Sequence, residues 1–423
     1  MEKYLGPVPN EAQIKYHEEE MSCFMHFGMN TFTEVEWGNG KENLSNFKLE
    51  SFDFDGYVKF IKEMGFKRLI FTAKHHDGFC MFDTKYSEHK ITNTSYGKDF
   101  FEELSKACTK YDMNMGCYLS PWDVHEETYG TGEPYNEYYL NQLKEICESP
   151  KYGNNGKFVE WWFDNAKDPN YKDQVYTFDK WIEAVKSNNP NILMFGVGSK
   201  GGIHWLGNEM GYAPEENSPK LKIRESFDLD FYNEFKSKDG HDETYVWSVP
   251  EADTCTTSGW FSHPKEKIKS VDELFNIYLK SIGRGAVLLL NIAPNKDGKI
   301  DEKIKQNVRK FVDRIHNEFL NELSNKLEII EDSKNDGKEI LININNLKEI
   351  DLRYLILQED IKYGSRFIEG FVYINDERVN INSIGYKRII ELRNSKIEGK
   401  KIHNIKVYFK GESELKIKPI KIY

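Results

Sequence analysis

Up to Phe319, short apolar runs alternate with longer stretches in which apolar residues recur at helical spacing. The runs at 23–28, 68–73, 113–119, 158–164, 192–197, 244–249 and 286–292 read as strands. Between them, Phe54, Tyr57, Val58, Ile61 and Met64 share one helical face, with Gly65 as the stop. Phe101, Leu104, Ala107, Cys108 and Tyr111 share another. Further helices are expected over 138–147, 174–186 and 271–282. A last one, carrying Ile304, Val308, Phe311, Val312, Ile315 and Phe319, closes this part of the chain. Strands that alternate with helices, each strand running into polar residues, predict an α/β fold: a (β/α)8-like (TIM-type) barrel. A doubly wound open sheet is the rival, but no GxGxxG follows any of these strands. The stretch 198–242 is rich in Gly, Asn, Glu and Pro, so one or two barrel helices are expected to be missing there.

Beyond Lys326 the pattern changes to short alternating runs at 341–344, 371–374 and 405–409, separated by Gly and Asn turns. That is the signature of a C-terminal β-sandwich. The expected organisation is a barrel domain over 1–325 and a sandwich over 326–423, packed together because no low-complexity linker divides them.

The 423 residues carry a net charge of −11, which disfavours nucleic acid or an anionic membrane as partner because cations for the phosphates are lacking. No apolar run approaches the ~18 residues of a membrane span. The first twenty positions show no basic start followed by an apolar core, which gives the expectation of a cytoplasmic protein. Six cysteines without CxxC spacing suit buried free thiols.

Polar groups at strand ends should converge on one mouth: His26, the pair His75–His76, Tyr118 and Asp164. Trp161 and Trp162 lead into Asp164 and offer flat faces that pack against sugar rings, although this stretch alone favours Asp164 as a cap of the next helix. Metal-dependent barrels usually carry two histidines one residue apart on a strand, whereas His75 and His76 are adjacent, and no HExxH occurs. No metal or cofactor is therefore expected. Two carboxylates could instead perform glycoside hydrolysis, one attacking and one protonated. Glu209, near Trp205, Leu206 and Met210, fits the protonated role. Glu251 competes for it from a later strand tip, or is a solvated loop residue.

Seven ordered blocks, among them HFGMNTFTEVEWGNG, TAKHHDGFCMFDTKYSEHKI, EWWFDNA, HWLGNEMGYA and WSVPEADTCTTSGWFSHP, resemble the alpha-L-fucosidases of glycoside hydrolase family 29. The resemblance is nearest to the branch that prefers alpha-1,3 and alpha-1,4 linkages. It implies a retaining exo-glycosidase with Asp164 as nucleophile and Glu209 as acid/base. It also implies that His26, His75 and His76 hold the fucose hydroxyls, with Tyr118 near them and Trp162 lining the site. Glu36 and Trp37 would lie on a loop closing over the sugar, and Trp260 would form a wall for its methyl group. Phe82 stands where relatives often carry tryptophan. The implied partner is a fucosylated oligosaccharide or glycoconjugate. Two other classes remain: a metal-dependent barrel hydrolase, which a chelator would inactivate, and a silent glycan-binding protein, which would show no turnover.

Overall fold

The computed structural model describes residues 6–223, 245–333, 337–343, 352–393, 402–411 and 415–423. Eight parallel strands form the barrel. In chain order they are β1 (Met21–Met25), β2 (Arg68–Lys74), β3 (Asn114–Leu119), β4 (Glu160–Trp162), β5 (Leu193–Phe195), β6 (Ile203–Trp205), β9 (Val249–Cys255) and β10 (Val287–Asn291). Their spatial order is β5-β4-β3-β2-β1-β10-β9-β6. The ring is drawn shut where the Met194 amide donates to the Gly201 carbonyl at 2.8 Å. Two antiparallel strands, β7 (Lys220–Lys222) and β8 (Tyr245–Trp247), lie between β6 and β9 in the chain.

The helices are α1 (Glu11–Glu19), α2 (Met29–Thr33), α3 (Phe54–Glu63), α4 (Phe100–Lys110), α5 (Glu133–Cys147), α6 (Phe178–Asn188), α7 (Val271–Lys280) and α8 (Glu302–Glu318). None is long and apolar enough to cross a membrane among the described residues. Their apolar faces pack on the outward side chains of the strands in one large core that includes Leu69, Phe71, Cys117, Trp161, Leu288 and Leu290. The inward side chains make a separate core of Phe24, Ile70, Tyr118, Trp162, Leu193, Ile203, Val249 and Leu289. The period-two alternation of a strand divides the residues between these cores. It sends Trp161 outward beneath the helices, where it meets Phe158, so of the two tryptophans only Trp162 reaches the mouth.

Helix α1, absent from the periodicity reading, is set by a capping box in which Asn10 and Gln13 exchange hydrogen bonds at 3.0 Å. It plugs the N-terminal end of the barrel. Tyr16 is fully buried there under the Arg68 guanidinium, 3.7 Å from its ring. The strand expected over 244–249 also needs correction; Thr244 itself lies outside the described residues. Tyr245–Trp247 pairs antiparallel with β7, and the barrel strand begins at Val249. Pro250, Glu251 and Asp253 obscured it, because polar residues here face a barrel interior rather than solvent. No α-helix occurs between β5 and β6, in line with the loss expected after Gly198.

After α8 come a five-stranded antiparallel sheet, β11 (Glu328–Ser333), β12 (Gly337–Asn343), β17 (Asn404–Gly411), β14 (Phe367–Ile374) and β15 (Glu377–Ile381), and a three-stranded one, β16 (Arg388–Glu391), β13 (Tyr354–Leu357) and β18 (Lys421–Ile422). Ile340, Val372, Val407 and Phe409 from the first sheet and Leu355, Leu357 and Ile422 from the second share one core, as a sandwich requires. The sandwich is packed on the barrel. Ile356 and Ile389 join the barrel's outer core, and the Ile389 amide donates to the Gly283 carbonyl at 2.8 Å.

Candidate active site

At the C-terminal ends of the strands lies a cavity of about 820 Å³. Ten side chains that the sequence nominated line it, His26, Glu36, Trp37, His75, His76, Tyr118, Trp162, Asp164, Glu209 and Trp260, whereas Trp161 and Glu251 do not. Each arrives by a simple local rule. Strand β2 ends at Lys74, so His75 and His76 both turn toward the mouth although they are adjacent. At the end of β4 and just beyond it, Trp162 and Asp164 line the cavity, while Trp161 and Phe163 pack in the outer core.

Asp164 receives the Tyr118 hydroxyl at 2.8 Å on Oδ2 and the Ala166 amide at 2.8 Å on Oδ1. His76 Nε2 lies 3.6 Å from Oδ2. Trp162 stacks flat on Phe195 with centroids 3.7 Å apart. Glu209 lies in the loop after β6. Although the residue is exposed, its carboxyl is pushed up by desolvation against a Trp260 hydrogen bond, with the Asp164 and Glu36 charges adding to the rise. Burial holds His26 down at about 3 and lowers His75 and His76, so all three rings are neutral near pH 7. A cavity of neutral imidazoles and aromatic faces, with Asp164 and the raised Glu209 beside two further carboxyls, Glu36 and Asp253, suits a neutral sugar ring.

The loop carrying Glu36 and Trp37 is anchored on three sides. Asn30 Nδ2 donates to the Glu36 carbonyl at 3.0 Å, the Asn39 amide to Glu42 at 2.6 Å, and His125 Nδ1 to the Gly40 carbonyl at 2.6 Å. Gly40 has φ +74°, and a Cβ there would lie 2.6 Å from the His125 backbone nitrogen. Trp37 meets His76 and Trp122 edge-on at 5.5 and 5.0 Å. Glu36 accepts the Trp260 amide at 2.9 Å, fastening this loop to the one after β9. Among the described residues, Glu36, His263 and Glu266 bring three possible metal-ligand atoms within 4.8 Å. His263 Nε2 lies 3.0 Å from Glu36 without a hydrogen bond to it, and the His263 amide donates to Glu266 at 3.2 Å.

Glu251 is neither a strand-tip acid nor a solvated loop residue. It lies within β9, wholly buried inside the barrel, where it accepts the Trp162 indole at 2.9 Å and the Tyr16 hydroxyl. Phe82 is likewise fully buried, edge-on to Tyr152. The sequence reading missed Asp253, two residues beyond Glu251 on the same strand face. Asp253 lines the cavity, accepts the Trp205 indole at 2.7 Å and is raised to about 8 by burial. Asn291 and Ser120, which hold His26 and His76, were missed too. The alternation in Pro250-Glu251-Ala252-Asp253-Thr254 was the available signal for Asp253.

A parallel barrel whose strand ends surround a sugar-sized cavity with two unlike carboxyls defines a glycosidase-type site. Residues 8–314 match the family model described as alpha-L-fucosidase, and the chain belongs to that family. It is similar to Alpha-L-fucosidase 1 of Arabidopsis thaliana, 34% identical over 328 residues, which are 76% of this chain and 62% of that protein. The chain thus spans about three fifths of this curated relative. Its fold superposes on a Ruminococcus gnavus family 29 fucosidase in complex with fucose, at 33% identity and TM-score 0.87, covering 100% of this chain and 96% of that one. SpGH29 matches at 30% identity and TM-score 0.88, covering 100% and 99%.

Proposed function

We propose that this protein is a retaining alpha-L-fucosidase that removes alpha-1,3- and alpha-1,4-linked fucose from branched glycans. The observation that carries the reading is the unlike carboxyl pair, Asp164 held by Tyr118 and the Ala166 amide, and Glu209 raised within the same cavity. The fucose bound in the Ruminococcus gnavus relative supports the choice of sugar. Asp164 attacks the anomeric carbon as the glycosidic bond breaks, while protonated Glu209 delivers its proton to the departing oxygen. Glu209 then takes a proton from the water that frees the sugar from Asp164, which restores both groups. In a complex with sugar the two carboxyls should lie ~5–5.5 Å apart; a wider, inverting separation would contradict retention. The linkage preference rests on the ordered motif blocks.

The test is release of fucose from a branched alpha-1,3/1,4-fucosylated trisaccharide beside an alpha-1,2-linked one, with and without EDTA. Cleavage of the branched substrate alone, unaffected by EDTA, is expected. Cleavage of both substrates keeps the mechanism and overturns the linkage preference. Loss with EDTA favours a metal-dependent hydrolase, and no cleavage favours a silent glycan-binding protein.

A further inference from the structure

We propose that Asn291 and Ser120 are positioning residues that lock His26 and His76 into the tautomer with a bare Nε2, making both rings hydrogen-bond acceptors toward the sugar. The proposal deepens the fucosidase reading and rests on it.

The argument follows from groups that can only donate or only accept. Asn291, fully buried at the end of β10, has its Nδ2 2.6 Å from the Trp260 carbonyl and its Oδ1 3.1 Å from the His26 amide. A carbonyl only accepts and an amide N–H only donates, so the side-chain amide cannot be turned round. Oδ1 also lies 3.1 Å from His26 Nδ1, which must therefore carry the proton. Ser120, buried just beyond β3, has one hydroxyl proton, and it goes to the Trp122 carbonyl at 2.6 Å. Its oxygen, 2.7 Å from His76 Nδ1, can then only accept, so that ring too is protonated on Nδ1. Burial keeps both rings neutral, which leaves each Nε2 with a lone pair.

For His76 that lone pair sits 3.6 Å from an oxygen of Asp164. Two acceptors face each other across the cavity until a donor hydroxyl enters beside them. The site is thereby selective for a ligand that brings O–H donors to two defined positions. Asn291 also ties His26 to the Trp260 carbonyl, so one amide sets a sugar-holding ring and the backbone of a residue that lines the cavity with Glu209.

The tautomers can be read directly. In the full-length protein labelled with ¹⁵N-histidine, the ring signals that disappear in His26→Gln and His76→Gln should show a protonated Nδ1 and a bare Nε2 at neutral pH. An Nε2–H tautomer or a doubly protonated ring at either position overturns the proposal. Ser120→Ala should mix the His76 tautomers and lower kcat/KM about tenfold, the size of one lost hydrogen bond, while Ser120→Thr restores both. An unchanged tautomer and rate in Ser120→Ala would remove Ser120 from the role. Binding of L-fucose can be compared with analogues in which each ring hydroxyl becomes fluorine or hydrogen. At two positions fluorine should bind no better than hydrogen; recovery of affinity by fluorine at every position overturns the proposal. Wild-type protein that binds no fucose would sink the fucosidase reading instead, and the ring signals would still report the tautomers.

Discussion

At the scale of single residues, Asp164 is the group whose loss should be most costly. It lies at the strand end, engaged by Tyr118 and the Ala166 amide. Asp164→Asn keeps its shape but removes the proposed nucleophile, so turnover should fall at least about a thousandfold while the melting temperature stays near that of the wild type. Steady-state kinetics beside calorimetry checks this; wild-type turnover in Asp164→Asn would refute the assignment. Glu251, although a carboxyl with a raised pKa, belongs to a different kind of site. Glu160 Oε2 takes Arg68 at 2.7 Å, and Glu251 takes Tyr16 and Trp162. Glu160 Oε1 is left buried without a donor, facing the other carboxyl. Burial raises both carboxyls, and Glu251 does not line the cavity.

At the scale of elements, the position of Asp164 depends on how β4 and β5 end. The Phe163 amide donates to the Phe195 carbonyl at 3.2 Å, and Asn165 donates to the Gly196 carbonyl at 2.8 Å. Gly196 has φ +81°, and a Cβ there would fall 1.8 Å from the Phe163 carbonyl oxygen, which is backbone and cannot swing away. Gly196→Ala should therefore lower stability by roughly 2 kcal/mol or more and kcat/KM by at least about tenfold. Thermal unfolding with wild-type activity retained would show that the two strand ends are independent of the chemistry.

At the scale of the whole molecule, the buried titratable groups set opposing pH limits. Asp77 and Asp253 are raised to about 8, chiefly by burial. Their folded pKa values exceed the unfolded ones, so the stability they contribute is complete below about pH 4 and lost as pH rises toward 8. His17, His26 and His204, lowered to about 3 by burial, contribute stability above about pH 6.5 that is lost on acidification toward 3. Asp77→Asn preserves the acceptor for the Phe79 amide, 3.0 Å away in the wild type, and removes the titration. Between pH 5 and 8 the wild type should lose at least about 3 °C more in melting temperature than Asp77→Asn. Equal losses in a pair of thermal scans would exclude Asp77 from the alkaline limb.

The sequence by itself determined the alternating barrel, the sandwich that follows it and most of the residues at the mouth. Strand and helix periods are local properties, and strand ends in a parallel barrel must converge on one face. It also held the family motifs, which placed Glu36, Trp37 and Trp260 around the cavity although no periodicity marks their loops. Tertiary structure alone decided the rest. Strand β9 escaped notice because its polar residues are paid for by partners distant in sequence: Tyr16 and Trp162 for Glu251, and Trp205 for Asp253. The assignment of Trp161 to the outer core and Trp162 to the mouth required knowing which face of β4 looks inward. The proton positions on His26 and His76 depend on Asn291 and Ser120, which lie 265 and 44 residues away along the chain. A ring's tautomer is set by whatever touches its other nitrogen, and only the folded chain supplies that neighbour.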